Sequence, residues 1–416
     1  MPSDVSMESE SAALADRDAG SWRPGYCLPA EYYTSDDLYR NDIRVLSRRW
    51  LMVDHVNRIP NPGDYFLFEL GDDSVIVVRT RNGEVRAHHN VCRHRGSRIC
   101  LESDGNARYL VCPYHAWSYD LEGKLRKAQP MGEDFDPAQH GLHPCHVRIF
   151  EGLIFLNLSL GEAPDFETFI QRGRPFLSDY GIADLKVAAR RNYPTMANWK
   201  LVSENFSECS HCRCSHGLFT QVFNIDAIDK WIGYDSNFSS TQVNWEQKQR
   251  EAGRHVGVIA DGPESDSLQV YVRQEIGYGH KTGTADGEPV APLIGNLKEY
   301  DNGWTNVGFE PMSVVVAFSD YVVLNRYTPR SADLTDFEVT WLVHKEAKEG
   351  KDYDLGRLLE LFDVTVTEDK KIVEDQQRGV HSSAYRPGPF GANEGRPSDI
   401  CTWYMSHFNN SGQDLQ

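Results

Sequence analysis

The spacing of apolar residues divides the chain into regions of different predicted structure. Over residues 31–51, apolar side chains recur about every 3.6 positions after a Thr-Ser-Asp start signal, which predicts a helix. From residue 64 to residue 158, short runs rich in β-branched and aromatic residues alternate with turn sequences, among them a tight Arg-Asn-Gly turn at 81–83. This pattern predicts a small, all-antiparallel β domain over residues 45–160.

Beyond a boundary expected near residues 161–164, helical and strand patterns are mixed, which indicates an α+β domain over residues 161–416. We expect an antiparallel sheet with helices to one side. The stretch 217–311 is rich in Gly and Asp and predicts no clear element. The predicted helices cover 165–180, 198–212 and 355–379, and the predicted strands cover 313–318, 321–328 and 337–346.

Composition and charge narrow the class of protein. The chain has 416 residues, enough for two domains with a core each, and no run approaches the ~18 consecutive apolar residues of a membrane-spanning helix. The net charge of −18 disfavours binding to nucleic acid or anionic lipid. Residues 1–20 are acidic and lack an apolar stretch, so we expect a disordered tail rather than a signal peptide, followed by a helical segment at 21–44. The expected location is the cytoplasm.

The nine cysteines need an explanation that suits a reducing compartment, where cysteines more often hold metal than form disulfides. Seven of them fall in two groups that also contain histidines, at residues 92–145 and 209–216. Cysteine and histidine together are typical metal ligands. Each group is therefore a candidate metal centre.

The first candidate centre combines one thiolate and one imidazole in each of two loops. Cys92 and His94 form a CxH pair, and Cys112 and His115 form a CxxH pair in the following loop. Four such ligands suit either tetrahedral zinc or a [2Fe–2S] centre in which one iron takes the cysteines and the other the histidines. Zinc fingers pair Cys with Cys and His with His, so the mixed loops favour the iron–sulfur centre.

This pattern closely resembles the Rieske cluster in the large subunits of ring-hydroxylating oxygenases, including the Arg-Gly after the first loop and the Cys-Pro-Tyr-His of the second. The resemblance implies that Cys92 and Cys112 bind the inner iron. His94 and His115 are implied as ligands of the outer iron. Two imidazoles in place of thiolates raise the cluster potential above that of an all-cysteine ferredoxin. One departure is Ala116, where the family usually has Gly.

The second candidate centre lies in residues 198–216. A non-haem Fe(II) oxygenase needs two histidines and one carboxylate on one face of the iron, with open positions for O₂. His211 and His216 are the candidate histidines, but a spacing of five residues places them ~140° apart on an ideal helix. We therefore expect the helix to break or bulge near residues 214–215.

The same segment resembles the catalytic motif of that oxygenase family, in which an Asn-Trp-Lys run leads through Glu-Asn and an acidic residue to the paired histidines. The resemblance implies His211 and His216 as iron ligands. Asn205 and Glu208 are implied as parts of the catalytic machinery, with Glu208 joining a cluster histidine of a neighbouring subunit to an iron histidine. Most relatives have Asp there. Glu followed by Cys is more similar to the branch that oxidises quaternary ammonium compounds, whereas Ser210 departs from that branch's usual Tyr.

The third iron ligand is expected to be a carboxylate in the last long predicted helix. Asp369 shares the apolar face of that helix, and a buried charge needs a metal or a cation. Asp375 has a similar phase, so helical spacing leaves two candidates. The family pattern of an acidic pair followed by Gln-Arg-Gly aligns with residues 368–369 and 377–379 and selects Asp369.

Within this resemblance the chain is a terminal oxygenase, an oxidoreductase with an antiparallel β Rieske domain at 45–160 and an α+β catalytic domain of helix-grip type at 161–416. Electrons from NAD(P)H are expected to arrive through a separate flavin or iron–sulfur reductase or a ferredoxin. They would pass from the [2Fe–2S] cluster to the mononuclear iron, where O₂ reacts. The implied reaction is N-demethylation of a betaine-like small molecule with loss of formaldehyde, in a homotrimer.

Other functions stay open beside this hypothesis. Ring hydroxylation of an aromatic acid is the runner-up reaction, whereas a Rieske electron-transfer protein or a zinc-stabilised binding module would not be an enzyme. The CxxC of Cys209 and Cys212 is either a redox dithiol or half a zinc site, although we expect it to bind nothing. A quaternary ammonium substrate would need a cation–π cage. The aromatic candidates for that cage are Trp231, Trp245, Trp304, Phe309, Phe318, Tyr321 and Tyr327.

Overall fold

The computed structural model describes residues 22–232, apart from the side chain of Trp231, and residues 239–408. The tail predicted at 1–20 lies outside these residues. Within them, no helix combines the length and apolar character that a membrane crossing requires.

The N-terminal segment forms two helices, α1 (Glu31–Thr34) and α2 (Asp36–Leu46). Ser35 separates them in an extended conformation, and its side chain accepts a hydrogen bond from a backbone N–H in the first turn of α2. The single helix predicted over residues 31–51 is therefore wrong in two respects. It is interrupted at Ser35, and it stops before residue 51, which begins the first strand.

Ten short strands follow, and every pairing among them is antiparallel. They are β1 (Leu51–His55), β2 (Asp64–Leu70), β3 (Asp73–Arg79), β4 (Val85–His89), β5 (Asp104–Asn106), β6 (Leu110–Val111), β7 (Ser118–Tyr119), β8 (Leu125–Lys127), β9 (His146–Phe150) and β10 (Leu153–Asn157). They form one four-stranded sheet, β4-β3-β2-β5, and two three-stranded sheets, β6-β7-β8 and β1-β10-β9. The antiparallel β architecture predicted from the hydrophobic pattern is confirmed.

Strand β3 is buried on both faces because a core lies on each side of it. Val75 and Val77 pack into a core shared with the N-terminal helices, whereas Ile76 and Val78 face a separate core. That separate core contains both candidate cluster cysteines. The candidate cluster therefore lies in apolar surroundings beside the four-stranded sheet.

A seven-stranded antiparallel sheet forms the centre of the second half of the chain. Its strands are β11 (Leu185–Thr195), β12 (Gly257–Ala260), β13 (Gln269–Glu275), β14 (Gly303–Phe309), β15 (Ser313–Ala317), β16 (Tyr321–Ser331) and β17 (Leu334–His344). Their order is β11-β17-β16-β15-β14-β13-β12. The last three strands agree with the prediction, while β12 to β14 lie in the stretch that predicted no clear element.

Helices connect and cover this sheet. They are α3 (Phe166–Ile170), α4 (Arg174–Leu177), α5 (Trp199–Phe206), α6 (Cys212–Ser215), α7 (Gly217–Val222), α8 (Ile225–Ile232), α9 (Ser240–Glu251), α10 (Leu355–Val380) and α11 (Gly395–Phe408). The helix predicted at 165–180 is in fact the short pair α3 and α4, and the helix predicted at 198–212 ends at Phe206. Helix α10 confirms the prediction at 355–379 and packs against β11, α5 and α7.

The two faces of the seven-stranded sheet have different neighbours. One face packs against α10 and the helices that follow α5, and this core includes Val202, Val316 and Leu358. The other face packs against α3, α4 and the β1-β10-β9 sheet. The segment from α5 to α7 therefore lies between the sheet and α10, where it can carry a buried site.

Candidate active site

Two loops of the β domain carry the four predicted cluster ligands, and they share one backbone geometry. In each loop the cysteine C=O accepts a hydrogen bond from the N–H four residues on, Gly96 or Ala116, at 3.0 Å. Each cysteine N–H donates to the C=O five residues on, at 2.8 Å for Cys92 and 2.9 Å for Cys112. Gly96 and Ala116 both have positive φ, 78° and 58°. The two loops are thus equivalent turns. The second has two residues between its cysteine and its histidine, and the first has one.

The four side chains meet inside the domain. The thiols of Cys92 and Cys112 are buried in the same core. The rings of His94 and His115 have centroids 4.7 Å apart. Their Nδ1 atoms are buried and have no hydrogen-bond partner in the described part of the chain. Two thiols and two unpartnered imidazole nitrogens form the donor set of a Rieske cluster, so these residues fit that group.

Two residues that the sequence reasoning missed hold His94. The Trp117 ring stacks on the His94 ring at 4.9 Å, and its Nε1 donates to Oε1 of Gln129 at 2.6 Å. Nε2 of Gln129 lies 3.5 Å from Nε2 of His94. Desolvation, with smaller effects from His115 and Arg95, lowers the pKa of His94. The neutral imidazole that a metal ligand requires is thereby favoured.

The second candidate centre brings together His211, His216 and Asp369. Oδ1 of Asp369 lies 3.2 Å from Nε2 of His211 and 2.9 Å from Nε2 of His216. The two imidazole rings stand nearly perpendicular, with centroids 5.1 Å apart. Asp369 projects from α10 and is only 4 % exposed. Two imidazole nitrogens and a carboxylate oxygen converge here, and this donor set fits the mononuclear iron of a non-haem oxygenase.

An interruption of the helix makes this convergence possible. Helix α5 ends at Phe206, where the Ser207 hydroxyl donates to the C=O of Glu204 at 2.7 Å. His211 caps the N-terminus of α6, and His216 separates α6 from α7 with φ −121° and ψ 80°. The break predicted near residues 214–215 is therefore displaced: it begins at Ser207, before the first histidine, and recurs at the second.

Each histidine of this candidate centre also contacts a second carboxylate through its Nδ1. Glu208 makes a very short contact with Nδ1 of His211 and also accepts from the N–H of Ser210. Oε2 of Glu368 lies 2.8 Å from Nδ1 of His216. Both rings are thereby held between two carboxylates. Sequence reasoning placed Glu368 in an acidic pair with Asp369 but gave it no role.

These carboxylates dominate the electrostatics of the site. Desolvation lowers the pKa of His211, but hydrogen bonds to Asp369 and Glu208 outweigh it and raise the pKa to about 9. The pKa of His216 is raised in the same way against desolvation, by Asp369 and then Glu368. Desolvation raises the pKa of Asp369, yet the two histidines bring it below its ordinary value. The site therefore favours a cation enclosed by carboxylates.

The structure separates the two candidate carboxylates of α10. Asp375 is well exposed and pairs with Arg378 one turn along, at 2.6 Å. Asp369 faces the two histidines. Between these two aspartates, Asp369 is the one placed to complete a metal site.

Cys209 and Cys212 are joined in a disulfide, which the expectation for a reducing compartment did not include. The bond spans the residues on both sides of His211, so it closes the loop that carries this histidine. Cys214 is free and exposed. Because the two sulfur atoms are bonded to each other and Cys214 is exposed, the alternative of a half zinc site is not formed.

Asn205 borders this candidate centre. Nδ2 of Asn205 lies 3.4 Å from Nε2 of His211. Phe206 follows in the chain, and its ring centroid lies 5.7 Å from that of Tyr327 and 4.6 Å from that of Phe337. Phe206 thus adjoins Asn205 in the chain, while Phe219 contacts the candidate centre directly, with its ring centroid 6.3 Å from that of His216.

The remaining aromatic candidates divide between the faces of the sheet. Trp304, Phe318 and Tyr321 belong to the core that also contains Cys209 and Cys212. Phe309 faces the opposite core, which removes it from the candidates for a cage. Trp245 donates from Nε1 to a backbone C=O, and the side chain of Trp231 lies outside the described residues.

Comparison with known families assigns both halves of the chain. Residues 49–150 match the model of the Rieske [2Fe-2S] domain. Residues 182–409 match the model of the ring hydroxylating alpha subunit (catalytic domain). Each match contains one of the two candidate centres.

The chain is also similar to characterised proteins over nearly its full length. It is 35 % identical to the glycine betaine monooxygenase oxygenase subunit of Chromohalobacter salexigens, over 91 % of this chain and 85 % of the relative. It is 34 % identical to the protein of the same name from Pseudomonas aeruginosa, over 94 % and 91 %.

Solved structures show the same fold. The quaternary ammonium Rieske monooxygenase CntA in complex with L-carnitine superposes with a TM-score of 0.66 at 22 % identity, over 92 % of this chain and 94 % of the other. Naphthalene 1,2-dioxygenase from Rhodococcus does so with the same TM-score at 18 % identity, over 96 % and 97 %. The cofactors of such proteins are a Rieske [2Fe–2S] cluster and a mononuclear iron that reacts with O₂, and a reductase supplies the electrons. The chain belongs to the Rieske non-haem iron oxygenases, in which it is the oxygenase (alpha) subunit.

Proposed function

We propose that this oxygenase N-demethylates a betaine-like quaternary ammonium compound and releases formaldehyde. The observation that carries the proposal is the similarity, over nearly the whole chain, to two glycine betaine monooxygenase oxygenase subunits. The reaction balances: one N-methyl group, O₂, two electrons and two protons give the demethylated ammonium, formaldehyde and water. The electrons come from NAD(P)H through a flavin or iron–sulfur reductase or a ferredoxin.

We assign the cluster to the two equivalent loops. Cys92 and Cys112 hold the inner iron, and His94 and His115 hold the outer iron through Nδ1. The unpartnered, buried Nδ1 atoms support this assignment because buried polar atoms rarely lack a partner in a complete structure. Trp117 fixes the plane of the His94 ring by stacking on it.

We assign the mononuclear iron to His211, His216 and Asp369. The iron supplies the site for O₂ when it is bound. The chain's own contribution is to hold both imidazoles with Nε2 towards Asp369 and Nδ1 towards an outer carboxylate. Asn205 Nδ2 lies 3.4 Å from His211 Nε2, the atom that would hold the iron, so Asn205 borders the proposed iron position.

We infer that Glu208 connects the two centres across a subunit boundary in a homotrimer. Its carboxylate already holds Nδ1 of His211, so its remaining acceptor capacity is available to a cluster histidine of a neighbouring copy. Apolar side chains around the cluster support an interface there: Leu101, Val111 and Tyr114 are 66 %, 47 % and 56 % exposed in the single chain.

The rings of Phe206, Tyr327 and Phe337 are the proposed contact for the ammonium group. Aromatic faces attract quaternary ammonium ions, these three rings contact one another, and Phe206 follows Asn205 in the chain. The net charge of −18 favours the approach of a cation. We place the enzyme in the cytoplasm, with the Rieske domain at 45–160 and the catalytic domain at 161–416.

The test is product analysis with the purified protein, a compatible reductase and NAD(P)H. Glycine betaine, carnitine and choline are compared with a panel of aromatic acids, and formaldehyde is measured against O₂ consumed. We expect formaldehyde from at least one methylated ammonium compound, with about one formaldehyde formed per O₂ consumed. Hydroxylated aromatic acid without formaldehyde from any ammonium compound would establish the runner-up reaction instead. A colourless protein would indicate zinc rather than the brown Rieske cluster.

A further inference from the structure

His216 is held at both edges of its ring by two consecutive residues of one helix. Its side chain is 1 % exposed. Asp369 lies 2.9 Å from Nε2, and Glu368 lies 2.8 Å from Nδ1. Neighbouring residues of an α-helix point about 100° apart, so an imidazole lying against α10 can be reached on opposite edges by positions 368 and 369. Of these two carboxylates, only Asp369 has a part in the proposed iron site.

The proton on Nδ1 decides whether this histidine can ligate iron. A histidine that binds metal through Nε2 must keep its proton on Nδ1, and an acceptor there fixes both the tautomer and the ring orientation. A carboxylate acceptor also makes Nε2 a stronger donor. His216 is buried but Glu368 is 36 % exposed, so a replacement side chain of similar length is needed to keep water away from Nδ1.

We propose that Glu368 is a positioning residue for the mononuclear iron, which it serves by accepting the Nδ1–H of His216. The inference rests on the proposed iron site and extends it by one residue. Glu368 contacts neither substrate nor metal. Its effect reaches the iron through the orientation and donor strength of a single ligand.

The corresponding carboxylate on the other histidine has a different task. Glu208 contacts Nδ1 of His211, and in the proposed trimer it also transmits electrons between subunits. Glu368 lies on α10, far along the chain from that loop, and has no part in the transfer. Loss of Glu368 should therefore weaken iron binding and leave electron delivery to bound iron normal. Loss of Glu208, which also holds an Nδ1 atom, should in addition slow electron delivery to the iron that is bound.

The test compares two variants of nearly equal side-chain length. Glu368→Gln keeps an oxygen that can accept the Nδ1–H, and Glu368→Met does not. The mononuclear site is emptied, reloaded anaerobically with Fe(II), and its affinity is measured by competition with a chelator. The Met variant should bind Fe(II) about 10- to 100-fold more weakly than the wild type. The Gln variant should recover most of the affinity, and the Rieske absorption spectrum should be unchanged in both.

Glu374→Met is the matched control, because Glu374 lies on the same helix and accepts the N–H of Met196 at 2.9 Å without touching a histidine. Its Fe(II) affinity should equal that of the wild type. Fe(II) affinity within twofold of wild type in Glu368→Met, or an equal loss in Glu374→Met, would overturn the proposal. Asp369→Ala in the same assay separates the two levels of inference: if it also binds Fe(II) normally, the proposed iron site itself is wrong.

Discussion

Oδ1 of Asp369 lies 2.9 Å from Nε2 of His216, although 153 positions separate the two residues in the chain. The contact joins the middle of the long helix α10 to the short segment between α6 and α7. Neither element alone could hold an iron ion. The site exists because the seven-stranded sheet supports both on the same face.

Removal of the Asp369 carboxylate should empty the mononuclear site and spare the cluster. In Asp369→Ala we expect iron to fall from about three to about two per chain, because the cluster keeps its own four ligands. Colorimetric iron analysis and the visible spectrum of the same sample measure the two centres separately. Asp375→Ala, which removes only a surface ion pair, should keep all the iron. Three irons in the Asp369 variant would mean that another carboxylate is the ligand.

Loss of the Glu208 carboxylate should have the opposite signature. In Glu208→Ala supplied with saturating Fe(II), both metals should be present, and product formation should still fall about 10- to 100-fold or more, since the proposed route between subunits is interrupted. The cluster should still be reduced by the reductase at the normal rate, as followed by its bleaching in stopped flow. Wild-type turnover in this variant would end the bridging role of Glu208.

Ala116 should be a site where a single substitution stabilises the protein. Its φ of 58° costs an L-residue about 1–2 kcal/mol, whereas glycine adopts this conformation freely. After allowance for the greater freedom of glycine in the unfolded chain, Ala116→Gly should add up to about 1 kcal/mol to the free energy of unfolding.

The matched control for Ala116→Gly is Gly96→Ala in the other loop, where φ is 78° and a Cβ would meet no atom within 4 Å. It should destabilise the fold by a similar amount. Chemical denaturation of both holoproteins gives the comparison. A lower unfolding free energy for Ala116→Gly would show that the methyl group has a packing role that outweighs its strain.

Stability should fall as the pH rises through neutrality because of Glu204. Burial raises the pKa of this carboxyl to about 7, although hydrogen bonds from Tyr33 and Cys401 and the charge of Lys200 lower it. The pKa of Glu204 in the folded protein exceeds the ordinary value of 4.5. The protonated carboxyl therefore contributes fully to the stability of the fold below pH 4.5, and this contribution is lost as the pH rises past about 7.

Between pH 5 and pH 8, ionisation of Glu204 should therefore lower the free energy of unfolding by about 1–3 kcal/mol. Glu204→Gln should remove that part of the pH dependence, because an amide does not ionise. Urea unfolding at several pH values measures it. An unchanged pH profile in the variant would assign the dependence to other groups.

The sequence predicted which residues meet at the two candidate centres better than it predicted the elements around them. Cys92, His94, Cys112 and His115 could be recognised because metal chemistry restricts both residue type and spacing. Asp369 could be recognised only as one of two candidates by helical phase, and the family pattern chose between them. Helix α5 was predicted too long because the Ser207 side chain competes for a backbone C=O, a contact that apolar spacing does not record.

Other features depend on contacts that are distant in sequence. Strands β12 to β14 were missed because they lie between Gly- and Asp-rich loops that obscure their pattern, so their pairing in the sheet defines them. Glu368 resembles any partly exposed acid on a helix until His216 is placed against it. The Cys209–Cys212 disulfide was unexpected because disulfides are scarce on average in a reducing compartment, an average that does not decide the state of one particular pair.

The core shared by the chain's two ends has a consequence for engineering. Leu28 and Tyr33 near the N-terminus, Trp199 on α5, and Trp403 on α11 pack into one cluster with the Rieske strands. A chimera that exchanges only the substrate-binding half between two relatives would therefore combine surfaces that did not evolve together. A chimera designed to change substrate specificity should take residues 22–46, α5 and residues 395–408 from the same parent. Only the strands and loops that face the proposed iron site should be exchanged.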